Sequence, residues 1–336
     1  MITAAIFGAG AMGSVHARNA AQHPGISLKY ICSPMPDKGT DLARELGASF
    51  VKDADTVYND PEVDLIVLAY PTHVRFEVLQ PALAAGKYVL CEKPFAHNIE
   101  EAKKIRDCDV GARTWISTGM VLRYFWEYKT AHDIIESGRL GRVGTVRTTR
   151  VCSFPRGWNN WFADFNHSGG VILDLALHDI DFLQWTFGAV SRVYAKGMRF
   201  AGINEKDYAL ITLKFQSGVI AHVEGSWIEQ PGTFYTALEV AAEKGMLEHD
   251  MRKVSPLVFT PLIAQPGKPQ AVVIPEMPVL ESPYMTELRA VVDAIESGGA
   301  APVPISKVFP ALEIAEAALT SIRTGEPVTL SSKGDA

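Results

Sequence analysis

Cysteine is scarce in this chain, with four residues in 336, at positions 32, 91, 108 and 152. None falls in a short paired spacing, which argues against a disulfide framework or a zinc ribbon and leaves reduced thiols as the reading. Long apolar runs are missing too. The strongest, Leu65–Ala69, is far shorter than the roughly 20 residues that cross a bilayer. The first residues bring no basic stretch, and Gly8, Gly10 and Gly13 interrupt the place where a secretory leader needs a continuous apolar helix, so a cytoplasmic location is expected. Nor is there an excess of positive charge. Lys and Arg number 32 against 38 Asp and Glu, a net charge of −6 without the basic footprint of a nucleic-acid binder. Neither a nucleic acid nor a membrane is an expected partner.

What is present is 47% apolar residues without repeats or low-complexity tracts, in a chain long enough for about two domains of ~150 residues. Strands are predicted over Ala4–Phe7, Ser27–Cys32, Leu65–Ala69, Tyr88–Cys91 and Thr114–Thr118. Helices are predicted over Met12–Gln22, Thr40–Leu46, Val74–Ala85 and from a cap at Asn98 through Ile105. Apolar strands alternating with helices imply a parallel sheet covered on both faces, a doubly wound α/β domain assigned here to residues 1–121.

Beyond Arg123 the pattern changes to longer strands at Val143–Cys152, Val190–Arg199, Tyr208–Phe215, Val219–Trp227 and Ala237–Ala242, with hairpin turns at Gln216–Gly218 and Glu243–Gly245. The proline-rich stretch Leu257–Val279 reads as irregular, and Tyr284–Ile295 and Lys307–Ile322 return to helical periodicity. Residues 122–336 therefore read as an α+β domain with an open, mostly antiparallel sheet, its late helices free to pack back on the first domain. One face of such a sheet rests on helices and the other is available to a second copy, so a homodimer or homotetramer is expected.

Gly8-Ala9-Gly10-Ala11-Met12-Gly13 lies between a predicted strand and a predicted helix, the context in which GxGxxG cradles a dinucleotide pyrophosphate. Gly8 permits the tight turn, Gly10 lets the backbone approach the phosphates and Gly13 lets the helix close on the strand. About 20 residues on, where a carboxylate normally accepts the ribose 2′-hydroxyl of NAD, stand Ser33 and Pro34, with Lys38 the nearest cation. Nothing there repels a 2′-phosphate, so NADP(H) is favoured, with NAD as the alternative.

Glu92-Lys93-Pro94 ends a predicted parallel strand, the edge at which such sheets bind ligands, and Lys93 offers a cation to an oxygen gaining negative charge. Aiming it there needs a sharp turn, which a cis Lys93–Pro94 peptide supplies at about 0.5–1 kcal/mol. A second constellation follows Gly169-Gly170: helical spacing puts Asp174, His178 and Asp181 on one face. A carboxylate beside an imidazole fixes its tautomer and favours the imidazolium, so Asp174 is expected to raise the His178 midpoint. A metal held with His167 as third ligand is disfavoured, because that residue lies in another local segment.

Taken together, the N-terminal GxGxxG, Glu-Lys-Pro at 92–94 and Gly-Gly-x3-Asp-x3-His at 169–178 resemble the Gfo/Idh/MocA oxidoreductases over nearly the whole chain. The resemblance implies a Rossmann domain, a C-terminal open-sheet domain, and NAD(P)-dependent oxidation or reduction of a sugar, cyclitol or related carbonyl. It implies a catalytic trio of Lys93, Asp174 and His178, and a cofactor loop at Pro71-Thr72 joined by Glu92. Two positions depart from the family pattern: Arg75 stands where histidine is common, and Val121 where asparagine precedes the pocket arginine that Arg123 matches. The loop Arg156–Phe162 carries Trp158 and Trp161, whose indoles read equally as rings that stack on a sugar face or as anchors that pack the loop. Alternative readings are a glycosidase that uses NAD for transient oxidation, and a non-catalytic cofactor sensor.

Overall fold

The computed structural model describes residues 1–110, 114–155, 157–199, 207–229, 233–253, 257–261 and 281–330. Its first sheet comprises β1 (Ile2–Phe7), β2 (Ile26–Cys32), β3 (Ser49–Val51), β4 (Leu65–Leu68), β5 (Tyr88–Glu92) and β6 (Ile116–Gly119). Between them run α1 (Ala11–Gln22), α2 (Pro36–Leu46), α3 (Ala54–Tyr58), α4 (Arg75–Ala84) and α5 (Ile99–Val110). Every pairing is parallel, in the order β3-β2-β1-β4-β5-β6. All four residues of β4 are buried, as expected of a central strand with helices on both faces. The strand order reverses between β1 and β4, and that switch point opens a crevice at the strands' carboxyl ends.

The rest of the chain forms α6 (Trp126–Glu136), β7 (Val143–Cys152), α7 (Phe165–Ser168), α8 (Leu177–Phe187), β8 (Val190–Met198), β9 (Tyr208–Phe215) and β10 (Ile220–Ser226). It continues with β11 (Phe234–Ala242), β12 (Gly245–Asp250), β13 (Leu257–Pro261), α9 (Pro283–Glu296), α10 (Ile305–Thr324) and β14 (Val328–Thr329). The second sheet runs β13-β12-β11-β7-β10-β9-β8-β14, open at both ends and antiparallel except where β7 meets β10. Along β9, Ala209, Ile211, Leu213 and Phe215 are buried while Leu210 is exposed, because α8 and α10 cover one face only.

A single apolar core runs from Phe7, Ile66 and Leu68 of the first sheet through α8 and α10 to Ile211 and Val223 of the second. The chain also doubles back: Leu288, Val291 and Val292 of α9 pack with Ala17 and Ala20 of α1 and with Ile6 and Val67 beneath the first sheet. Both hairpin turns read from the sequence are present, joining β9 to β10 and β11 to β12. Sequence pattern missed the short β3 and α3, and also α6 and β12. The described start of the proline-rich stretch is not irregular but a strand, β13, paired along β12; residues 262–279 lie outside the described residues.

Candidate active site

The strand-to-helix turn after β1 is the floor of the site. Gly8 has φ of +116°, and a Cβ there would lie 2.9 Å from the Ala69 carbonyl oxygen. A Cβ on Gly13 would fall 2.0 Å from the Gly8 carbonyl oxygen, so the helix closes on the strand only with glycine at that position. Gly10 is different, with nothing within 4 Å of its would-be Cβ. No side chain caps α1, and its first turn holds no acidic residue. Its leading N–H groups are therefore left to an outside acceptor, which fits the pyrophosphate of a dinucleotide.

A cavity of about 570 Å³ extends from this turn, along Gly8, Gly10, Ala11 and Met12, across the carboxyl ends of β4 and β5. Ser33 and Pro34 border it at the end of β2, Pro71 and Thr72 after β4, and Glu92 and Lys93 at the end of β5. The far wall comes from the second half of the chain, where Trp158, Trp161, Phe162 and Asp174 face the same space. Trp158 is exposed, and the Trp161 indole lies against Gly157, where a Cβ would come within 2.4 Å of it. Asn159 and Asn160 between them adopt left-handed φ values of 51° and 54°, a conformation asparagine tolerates. Arg156 of this loop lies outside the described residues.

Lys93 is the hinge between the two halves. The Lys93–Pro94 peptide is cis, as expected. Its ammonium Nζ donates to Asp174 Oδ1 at 2.9 Å and to the Asp174 carbonyl oxygen at 2.6 Å, with both side chains about 15% exposed. Behind it, the Lys93 N–H donates to Glu92 Oε2 at 3.1 Å, while Glu92 Oε1 meets His16 Nε2 at 2.8 Å. Burial opposes charge on Glu92, but its bond to His16 and the charges of His16, Arg75 and Lys93 outweigh that and hold its carboxyl below the usual range. His16 escaped the sequence reading. Its one signal was helical spacing, three residues after Gly13.

The stripe read as Asp174, His178 and Asp181 does not survive as one face. The helix opens with a π turn at Ile172–Ala176 before α8 begins, and i→i+5 bonding there offsets the register. Asp174 goes to Lys93, while fully buried Asp181 receives two hydrogen bonds from Arg123, at 2.9 and 2.7 Å. His178 keeps its Nδ1 buried and, among the described residues, without a hydrogen-bond partner. Its expected upward shift is reversed: burial first, then the nearby charges of Lys93 and Arg150, push the His178 midpoint well below 6.5. Arg150, ion-paired with Asp179 next to the histidine, was not singled out from the sequence.

Four of the predicted site residues lie off the cavity, the first being Gly13, which packs the helix on the strand instead. Arg123, assigned to the substrate pocket, is committed to Asp181 and sits 5.3 Å from the Trp185 ring centre. Lys38 does not reach the Ser33 side; it borders a separate polar recess with Ser14, Arg18, Asp41 and Glu45 that meets the site only at Ala9, Gly10 and Ala11. His178 is likewise not among the residues facing the main cavity. Ser33 is at the expected place, fully buried, with Oγ accepting from the Met35 N–H at 3.1 Å.

Comparison with known proteins matches residues 2–113 to an oxidoreductase family with an NAD-binding Rossmann fold and residues 128–248 to the GFO/IDH/MocA C-terminal domain. The chain belongs to the Gfo/Idh/MocA family. Within this oxidoreductase family it is 25% identical to the scyllo-inositol 2-dehydrogenase (NAD(+)) of Bacillus subtilis (strain 168), covering 99% of this chain and 97% of that protein. The crystal structure of GenD2 from gentamicin A biosynthesis in complex with NAD superposes with a TM-score of 0.86 at 25% identity, over 98% of this chain and 97% of that one. Levoglucosan dehydrogenase in complex with NADH and levoglucosan shares the fold, with a TM-score of 0.88 at 21% identity over 98% and 99% of the two chains. Among the described residues no helix is long and apolar enough to cross a membrane.

Proposed function

We propose that this oxidoreductase transfers hydride between a nicotinamide cofactor and a hydroxyl or keto group of a sugar or cyclitol, with Lys93, Asp174 and His178 as its catalytic residues. The observation that carries the reading is the Lys93–Asp174 pair, formed at the carboxyl edge of the dinucleotide-type sheet by two residues 81 positions apart. Backbone N–H groups at Gly10, Ala11 and Met12 hold the pyrophosphate, and Pro71 and Thr72 flank the bound cofactor, which when present supplies the carbon that accepts or gives the hydride. Lys93 Nζ polarises the substrate oxygen. His178, kept neutral, takes the hydroxyl proton during oxidation and returns it during reduction. Asp174 fixes the Lys93 ammonium, and Trp158 and Trp161 offer ring faces to the sugar.

The β2 edge at Ser33 and Pro34 carries no carboxylate to repel a 2′-phosphate, which supports NADP(H) over NAD(H); the cations of the neighbouring recess do not add to this, because Arg18 is paired with Glu45 and Lys38 shares the recess with Asp41. Ser33→Asp then shifts preference toward NAD, and a wild-type enzyme already strongly selective for NAD overturns this point. The domain division falls near residue 121, the enzyme works in the cytoplasm, and the exposed sheet face carrying Leu210, Ile220 and Met198 joins two or four copies. Light scattering of the purified protein tests the last. The decisive experiment is a screen of aldoses, inositols and keto-sugars with both cofactors, reading reduced nicotinamide in wild type and Lys93→Met. Cleavage of an added glycoside with no net change in the cofactor's redox state supports a glycosidase, and cofactor binding without any turnover supports a sensor.

A further inference from the structure

Arg75 is 5% exposed at the start of α4, immediately after the Pro71–Val74 loop. Its guanidinium makes no ion pair among the described contacts. Instead Nε donates to the Tyr70 carbonyl oxygen at 2.8 Å, and Nη1 donates to the carbonyl oxygens of both Glu92 and Pro94. Those two carbonyls bracket Lys93. One rigid fork therefore joins the end of β4 to the backbone on either side of the lysine, while the Glu92 carboxylate holds the Lys93 N–H. A guanidinium suits three acceptors spread over two loops; an imidazole has at most two N–H groups, and an ammonium lacks the planar fork.

We propose that Arg75 is the positioning residue of the lysine turn: its bonds to the Tyr70, Glu92 and Pro94 carbonyls set the direction in which Lys93 leaves the sheet, and so where Nζ stands beside Asp174. The inference rests on the proposed catalytic role of Lys93. Arg75 borders the main cavity, but its Nε and Nη1 are spent on backbone carbonyls, so it acts on Lys93 through the backbone. Its charge has a second effect, helping to keep Glu92 ionised and hence able to hold the Lys93 N–H. A displacement of about 1 Å in a catalytic group is enough to lower a rate roughly 100-fold.

The test compares Arg75→Ala, Arg75→Lys and Lys93→Met in the full-length protein, reading melting temperature, cofactor affinity by calorimetry, kcat, KM and rescue by millimolar ethylguanidinium. Arg75→Ala is expected to lose about 10- to 100-fold in kcat with substrate KM nearly unchanged. Ethylguanidinium should restore part of that rate, and none of the rate lost in Lys93→Met. Arg75→Lys, which keeps the charge without the fork, should fold normally and still lose roughly 10-fold, which keeps the inference testable if the alanine variant does not fold. Native kcat in folded Arg75→Lys, or an alanine variant that ethylguanidinium leaves unaltered, overturns the positioning role. Native kcat in Lys93→Met overturns the catalytic reading itself, a separate outcome.

Discussion

Asp174 binds Lys93 twice, through carboxylate and carbonyl, and only the first bond is reachable by substitution. Asp174→Asn keeps the shape and leaves an amide oxygen to accept from Nζ, so what disappears is the charge. A hydrogen bond to a charged group contributes about 1.5–3 kcal/mol net, and the amide keeps one, because its donor is still the ammonium; only the charge–charge part is lost, about 0.5–1 kcal/mol for a pair so little exposed. At about 1.36 kcal/mol per decade, kcat should fall about 2- to 5-fold if the ammonium position matters to the chemistry. Asp174→Ala removes the whole bond, and its loss should reach about 10- to 150-fold on the same arithmetic. Cofactor affinity should stay native in both, since Asp174 belongs to the wall opposite the phosphate turn. Steady-state rates at saturating substrate, with melting curves alongside, measure the series. Equal losses in the two variants, or native kcat in a folded Asp174→Ala, would refute the reasoning.

The remaining predictions concern protons and glycines. Oxidation should rise with pH through a midpoint below 6.5 and then level, because burial, Lys93 and Arg150 keep the proton off His178; Lys93→Met should raise that midpoint in an NMR titration of the imidazole. A midpoint above 6.5 contradicts this. Gly10→Ala should leave the melting temperature unchanged yet weaken cofactor binding, whereas Gly13→Ala should lower stability by about 1–3 kcal/mol or more, because its methyl meets the Gly8 carbonyl. Among the described residues buried Glu287 has no hydrogen-bond partner for either oxygen, and burial, with the charge of Glu92 behind it, lifts its carboxyl well above 4.5. The folded state thus holds a proton that the unfolded chain releases, and stability falls as pH rises above about 4.5 toward the folded value. Glu287→Gln removes that slope, so its melting temperature should gain on wild type with rising pH.

What the sequence disclosed was local. GxGxxG between strand and helix, and a lysine-proline turn at a strand end, are readable because neighbours along the chain determine them. The Lys93–Asp174 bond depends on how two sheets pack, and no periodicity encodes a partner 81 residues away. The helical wheel failed at Asp174 for a definite reason: the π turn Ile172–Ala176 breaks the 3.6-residue period on which the wheel rests, while His178 and Asp181 lie in the regular helix that follows. The sign of the His178 shift failed because burial dominates it, with Lys93 after β5 and Arg150 of β7 adding to it, while Asp174, four residues earlier, faces the lysine. Arg123 is placed at the pocket by its match to a family arginine, and its bonds to buried Asp181, 58 residues away, are a contact that no local pattern encodes. Strand β3, only three residues long, and α3, only five, left too little pattern to read.

The return of α9 to the first sheet bears on how the protein is made. During synthesis the six parallel strands are complete once Gly119 has emerged, yet Leu288, Val291 and Val292, which line the underside of that sheet, follow roughly 170 residues later. At about 5–20 residues per second the ribosome needs on the order of 10–35 s to deliver them. Through that interval Ala17, Ala20 and their neighbours lack their native apolar cover, and a chain that ends before Pro283 should never acquire it.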